Sequence, residues 1–371
     1  MPVLLPASEP GVGPPPRKAK VGGLTPMALQ NPSMPPLTPL LSLIDAHTGG
    51  EPARLVLSGL PPIPGATMAA KKAHFQAHLD HWRTLLMREP RGHKDMFGVI
   101  LTEPTSPDAD YGALFIDSAG AIDMCGHGLM ALATALIEIG MVPALAPETS
   151  LRFDTPVGRV EARATLEGER VGAVSLTNVP AFVLERDVAI TLADVGEVRV
   201  DVVFGGNVFA LVPASALGVQ VTPAHSRELI HLGMAVKQAI NATLQITHPE
   251  WAHINQVELT KIYEPPSPTN PVTKNAVIFG AGQLDRSPCG TGTSAAMALA
   301  HAKGELALGE EHLSEGILGT RFRGHLERQL TVGDHPAVVP VISGAAYLTG
   351  RLEVLLDPRD PFPYGFLLEA P

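Results

Sequence analysis

The sequence predicts an α/β (α+β) protein built from two related halves. Three observations carry that prediction. Strand-like and helix-like patterns mix along the whole chain. The length of 371 residues suits about two domains of roughly 100–200 residues each. One segment occurs twice, and each copy holds one of the two cysteines.

Taken in order, residues 1–40 stand apart. They hold 11 of the 36 prolines and show no hydrophobic period. Pro14-Pro15-Pro16 and Pro35-Pro36 exclude helix, because proline lacks the amide hydrogen. A disordered or polyproline-like extension is expected there. Val3-Leu4-Leu5 is too short for a secretory core, and Arg17, Lys18 and Lys20 follow it rather than precede it. The expected location is the cytoplasm.

Leu41 to Ala46 and Ala53 to Leu60 read as strands. Lys71 to Met87 reads as one helix, with Phe75, Leu79, Trp82 and Leu86 at steps of three and four. A second half begins near Val195. There Val198 to Phe204 predicts a strand, Ser226 to Ile240 a helix and Ala276 to Phe279 a buried strand. Gly344 to Leu356 predicts two short strands. Glu264-Pro265-Pro266 and Asp357-Pro358 are turns. The domains expected are 41–190 plus 346–371, and 191–345.

Composition narrows the function. The net charge is −10, from 27 basic and 37 acidic side chains, which argues against a nucleic-acid surface. No apolar run approaches the roughly 18 residues that a membrane helix needs. Two cysteines in 371 residues supply neither a disulfide scaffold nor a four-cysteine zinc site.

The repeat concentrates the chemistry. One copy runs Ala113-Leu-Phe-Ile-Asp-Ser-Ala-Gly-Ala-Ile-Asp-Met-Cys125-Gly126-His127-Gly128, and the other Val277-Ile-Phe-Gly-Ala-Gly-Gln-Leu-Asp-Arg-Ser-Pro-Cys289-Gly290-Thr291-Gly292. Each is a strand, a glycine-containing turn, Cys-Gly-x-Gly and an alanine-rich helix. The cysteines lie 164 residues apart. A helix N-terminus offers unpaired amides and the positive end of a dipole. The amides of Gly126, His127, Gly290 and Thr291 are therefore set to hold an anion such as a carboxylate. The same field should lower a cysteine pKa from about 8.5. Other readings of the pair are inert core cysteines, a disulfide, a metal site with His127, or a phosphate cradle. The spacing fits neither a zinc finger nor a nucleotide motif.

These residues resemble the proline racemase family. The resemblance rests on Asp45-Ala-His-Thr-Gly-Gly-Glu51, Glu89-Pro-Arg-Gly-His-Lys-Asp-Met-Phe-Gly98, Met124-Cys-Gly-His-Gly128, Phe204-Gly-Gly-Asn-Val-Phe-Ala210, Asp285-Arg-Ser-Pro-Cys-Gly-Thr-Gly-Thr-Ser294 and Asp360-Pro-Phe-Pro-Tyr-Gly-Phe-Leu367. It implies a fold like diaminopimelate epimerase, with two pseudo-symmetric domains. Each wraps a sheet around a central helix, and the active site lies in the cleft between them. It also implies a homodimer that needs no pyridoxal phosphate, other cofactor or metal.

The implied chemistry inverts the α-carbon of a small imino acid. One cysteine removes a proton from one face and the other delivers one to the opposite face. Cys125 and Cys289 match the catalytic positions. Gly126, His127, Gly290 and Thr291 match the carboxylate site, and Asp285 a position near the substrate nitrogen. His47 and His93 lie in matching segments without an assigned mechanism.

Relatives in this group include trans-3-hydroxyproline dehydratases, which carry threonine at the second cysteine position. Cys289 argues against that activity. Proline racemases and 4-hydroxyproline epimerases both keep two cysteines, so the pocket decides. Phe97 and Phe279 match an apolar wall, with Met124 and Ile122 beside it. A ring hydroxyl against two phenyl groups would lose water without gaining a partner, at roughly 1–3 kcal/mol. Proline is the expected substrate and 4-hydroxyproline the alternative. Leu129-Met130 departs from the family pattern and is expected to narrow the pocket. A non-catalytic imino-acid-binding protein is a further alternative, disfavoured by the intact cysteines and Asp285.

Overall fold

Alternating apolar and polar residues fold the first described segment into a hairpin. It pairs β1 (Leu41–Thr48) with β2 (Glu51–Ser58) across Gly49-Gly50. This computed structural model describes residues 40–368. The proline-rich extension expected over residues 1–40, apart from Leu40, whose amide donates to the Val354 carbonyl at 2.8 Å, and the end of the expected domain at 369–371 lie outside them.

Helices α1 (Met68–His78) and α2 (Asp80–Met87) lead to β3 (Phe97–Thr102), β4 (Tyr111–Asp117) and the two-residue β5 (Ala121–Ile122). Helix α3 (Gly126–Glu138) follows, then β6 (Glu148–Thr155), β7 (Gly158–Glu167), β8 (Arg170–Thr177) and β9 (Ala181–Leu192). Next come β10 (Gly196–Phe204), β11 (Val208–Pro213), α4 (Ser226–Thr243), β12 (Leu259–Glu264) and β13 (Val272–Phe279). The chain continues through β14 (Gln283–Leu284), α5 (Gly290–Ala302), β15 (His312–Glu315), β16 (Arg321–Val332), β17 (His335–Gly344) and β18 (Ala346–Val354).

Hydrogen bonding closes these strands into rings. One ring runs β9–β10–β11–β12–β13–β15–β16–β17 and returns to β9. The other runs β18–β1–β2–β3–β4–β6–β7–β8 and closes where β8 pairs the end of β17. Both follow one plan: β2–β3 and β4–β6 are parallel, as are β11–β12 and β13–β15, and the other pairings are antiparallel. The nearly continuous stretch β17–β18 belongs to both rings.

Each ring encloses one helix. From Gly126 to Ile137 every residue of α3 is buried, against β1, β2, β3, β7, β8, β17 and β18. Helix α5 packs likewise on β9, β10, β11, β16 and β17. A helix that is apolar all round must be wrapped, and the short side chains of Ala131, Ala133 and Ala135 let the strands approach.

Two expected elements differ. Lys71–Met87 is not one helix. It breaks at Leu79, whose backbone (φ −123, ψ 9) leaves the helical region. Asp80 then opens α2 and holds Arg83 at 2.6 Å, while Arg83 donates to the carbonyls of Asp117 and Ser118. The break turns Arg83, Leu85, Leu86 and Met87 inward as a separate face. Gly344–Leu356 is not two short strands either. Gly344 ends β17 and the rest is chiefly β18, a single strand that pairs along all of β1 with one register shift opposite Asp45 and Ala46.

Candidate active site

The rings bring the N-termini of α3 and α5 together. Gly126 and Gly290 are so close that a Cβ built on either would lie 3.0 Å from the other's Cα. Cys125 caps α3, its sulfur accepting the Gly128 amide at 3.4 Å; Cys289 caps α5 by the same bond from Gly292 at 3.3 Å. Both cysteines are unbonded to each other and only 5% exposed. The two sulfurs occupy matching positions, each at the positive end of its own helix.

The matching is incomplete. Cys125 has an extended backbone (φ −142), whereas Cys289 has φ +62, a conformation costing a non-glycine residue on the order of 1–3 kcal/mol. The connections explain it. In the first copy only Asp123-Met124 link β5 to the cysteine. In the second, Asp285-Arg286-Ser287-Pro288 link β14 to Cys289. The longer link folds on itself: the Asp285 carboxylate accepts the Ser287 amide at 2.7 Å, and Ser287 Oγ accepts the Cys289 amide at 3.1 Å.

His127 sits 3.0 Å from the Cys125 sulfur through Nδ1, and 3.3 Å from the Pro52 carbonyl through Nε2. The carbonyl only accepts, so Nε2 carries the hydrogen. Burial lowers the imidazole pKa, leaving Nδ1 a bare acceptor for the Cys125 thiol. On the other side Thr291 Oγ1 lies 3.8 Å from the Cys289 sulfur. Phe97 packs against His127 with centroids 4.6 Å apart and meets Phe279 edge-on at 6.3 Å. The structure thus gathers Cys125, Gly126, His127, Cys289, Gly290, Thr291, Asp285, Phe97 and Phe279 in one place. Leu129 is fully buried in the core of α3.

The expected lowering of the cysteine pKa is overturned. Burial pushes the Cys289 thiol up to about 12, and the charge of Asp285 adds to the rise. Burial likewise raises Cys125 well above its ordinary value, with Asp285 and Cys289 adding. The amide at each sulfur lowers the value, but desolvation in this closed site outweighs it.

Four residues with no role in the sequence reading belong here. Asn207, in the turn between β10 and β11, accepts the amides of Asp123 and Met124 through Oδ1 and donates to the Met124 carbonyl at 2.7 Å. Thr48 Oγ1 donates to the His127 carbonyl at 2.9 Å. Glu51 accepts the Arg286 amide at 2.7 Å. Lys261 is buried in β12 with no hydrogen-bond partner for Nζ among the described residues. Its pKa falls to about 8 through burial, while Cys289 and Asp285 pull the other way. A lysine inside Leu259-Thr-Lys-Ile-Tyr was the available signal. His47 instead accepts the Gly50 amide and packs on Tyr347, and His93 is exposed.

The sequence matches the family described as Proline racemase over residues 43–367. The chain belongs to the proline racemase family. It is 45% identical over 329 residues to a protein named proline racemase from Clostridioides difficile, spanning 89% of this chain and 98% of that one. It is 46% identical over 325 residues to a 4-hydroxyproline 2-epimerase of Streptosporangium roseum, spanning 88% and 97%. The fold resembles a crystal structure of a hydroxyproline epimerase from Agrobacterium vitis with bound trans-4-hydroxy-L-proline. The TM-score is 0.84 at 33% identity, over 88% of this chain and 95% of that one. Membership in the proline racemase family accounts for both cysteine motifs and the wrapped helices. Overall identity does not separate the two activities among relatives, so the pocket must.

Proposed function

We propose that this protein is an isomerase that interconverts L- and D-proline by proton transfer at Cα between two cysteines, without a cofactor. The observation that carries it is the facing pair of capped helices, one sulfur at each N-terminus. Proline racemase relatives at 44–45% identity support the same activity.

The substrate carboxylate is held by the amides of Gly126, His127, Gly290 and Thr291, which also stabilise charge that develops on it. Its ammonium faces Asp285. That charge match answers the high cysteine pKa values: a cation beside Asp285 offsets the charge that opposes ionisation, so a thiolate forms with substrate in place. His127 Nδ1 takes the Cys125 proton in a hydrogen bond and orients it. Cys289, near Lys261, is the sulfur better placed to start as thiolate. Phe97 and Phe279 give the proline ring an apolar wall.

In this reading, residues 41–190 plus 346–371 and residues 191–345 form two domains of diaminopimelate-epimerase type. The substrate sits in the cleft between them. The ring around each helix supports two such units, with the difference that β9 (Ala181–Leu192), which a boundary at 190 divides, pairs with β10 and β17 in the ring around α5. A homodimer follows from the family resemblance, and sedimentation tests it.

The test is incubation with L-proline in heavy water. Deuterium should enter Cα as optical rotation decays, and Cys125→Ser and Cys289→Ser should each abolish both. No exchange by reduced, folded protein would sink the assignment, and a fully active single mutant would refute two-base transfer. Trans-4-hydroxy-L-proline run in parallel should turn over about 5- to 150-fold more slowly, from the roughly 1–3 kcal/mol lost by an unpaired hydroxyl. Preferential turnover of the hydroxylated compound would make the protein a 4-hydroxyproline epimerase.

A further inference from the structure

The two rings place Glu51 and Asn207 at equivalent points. Thr48-Gly49-Gly50-Glu51 turns β1 into β2, and Phe204-Gly205-Gly206-Asn207 leads β10 towards β11. Each residue follows two glycines, and each is fully buried. Each also reaches across to the other ring's cysteine link. Asn207 Oδ1 takes the amides before Cys125, and Glu51 Oε2 takes the Arg286 amide before Cys289.

The second atom of each head group breaks the likeness. Asn207 Nδ2 donates to Met124 O and Thr291 Oγ1. Glu51 Oε1 is buried with no partner among the described residues. A bare carboxylate oxygen in that place has nothing to accept. A carboxylic acid, with its hydrogen on Oε1, does what the amide nitrogen of Asn207 does.

We propose that Glu51 works as a neutral carboxylic acid, the counterpart of the Asn207 amide, and that its Oε1 hydrogen holds the Asp285 carboxylate in position. This rests on the reading above that Asp285 meets the substrate nitrogen. The groups around it agree. Burial raises the Glu51 pKa well above its ordinary value, and Asp285 and Asp95 push it further; the Arg286 amide and guanidinium oppose them. Arg286 is itself committed to Asp95 at 2.9 Å. An ionised Glu51 would push the Cys125 thiol still higher, as Asp285 does. A neutral Glu51 leaves the pair with one negative charge, which one substrate ammonium matches. Glu51 is then a positioning residue that acts through Asp285.

The test compares Glu51→Gln with Glu51→Leu. Glutamine supplies an acceptor to Arg286 and a donor to Asp285, so it should keep most of kcat/KM. Leucine removes both, and KM for L-proline should rise about 10- to 100-fold with a smaller change in kcat, the loss expected for a hydrogen bond to a charged group. Infrared difference spectra of wild type against Glu51→Gln should show the carbonyl stretch of one un-ionised carboxylic acid. Glutamine as damaging as leucine, or no acid band lost, overturns the proposal. Should the leucine variant not fold, the glutamine kinetics and the spectrum still decide. The spectrum needs no turnover, so it reads Glu51 even if proline proves not to be the substrate.

Discussion

Lys261 shows how one residue trades stability against chemistry. Its ordinary pKa of 10.5 falls to about 8 in the fold. Above pH 10.5 the side chain is neutral in both folded and unfolded chains, so it costs nothing. As the pH drops towards 8 the unfolded chain binds the proton first, and folding loses stability. Below 8 the cost stays constant, at up to about 3 kcal/mol. Lys261→Met should therefore raise the urea midpoint at pH 7, with a gain that shrinks at pH 10. It should also slow racemisation, since Cys289 loses its nearby cation. A lower midpoint at pH 7 would show that the ammonium is better paired than the fold suggests. Lysine inside an apolar strand is visible in the sequence, but its neighbours Cys289 and Asp285 arrive from 24 and more residues away, and no local pattern announces them.

At the scale of elements, the capped helices were legible and the links to them were not. Cys-Gly-x-Gly before an alanine-rich run states a helix start, because small residues and a polar cap are what that position needs. The folding of Asp285 to Pro288 depends on hydrogen bonds to Ser287 and Glu51. Glu51 lies 235 residues from its partner, so sequence spacing carries no trace of it. The break at Leu79 was hidden for a related reason: the apolar steps of three and four continue through it, and only the buried Arg83 marks the second face. The glycines at the two helix starts give a direct test. A methyl on Gly290 would meet the Gly126 backbone at 3.0 Å, and backbone cannot swing aside as a side chain can. Gly290→Ala should separate the sulfurs and cost about 100-fold in kcat/KM, the scale of effect reported for misplacement by about 1 Å. Its thermal stability should fall far less. An alanine variant with full activity would mean the helix ends have room to part.

For the whole molecule, the decisive feature is closure. The periodicities disclosed strands and helices, and the internal repeat disclosed two halves. They did not disclose that β17 and β18 run on from one ring to the other, because that depends on pairing between residues far apart in the chain. Gly344 sits at this junction. A Cβ there would lie 2.6 Å from the Phe322 side chain and 3.0 Å from the Met130 sulfur, so the Phe322 side chain would have to move and Met130 to give slightly. Gly344→Ala should destabilise the fold by roughly 1–3 kcal/mol, as overpacking does, in a single urea transition that includes both rings. Two separate transitions would show that the rings melt independently.

The turn of each ring fastens the other ring's cysteine. Asn207 grips the residues before Cys125, and Glu51 those before Cys289. Neither half therefore completes the proposed acid–base pair by itself: each keeps a sulfur whose link is held by its neighbour. A fragment containing one ring would carry a cysteine, a helix and a dipole, yet its sulfur would be left without bearings. Damage to either hairpin turn should accordingly be felt first at the opposite sulfur, more than 80 residues away in the chain.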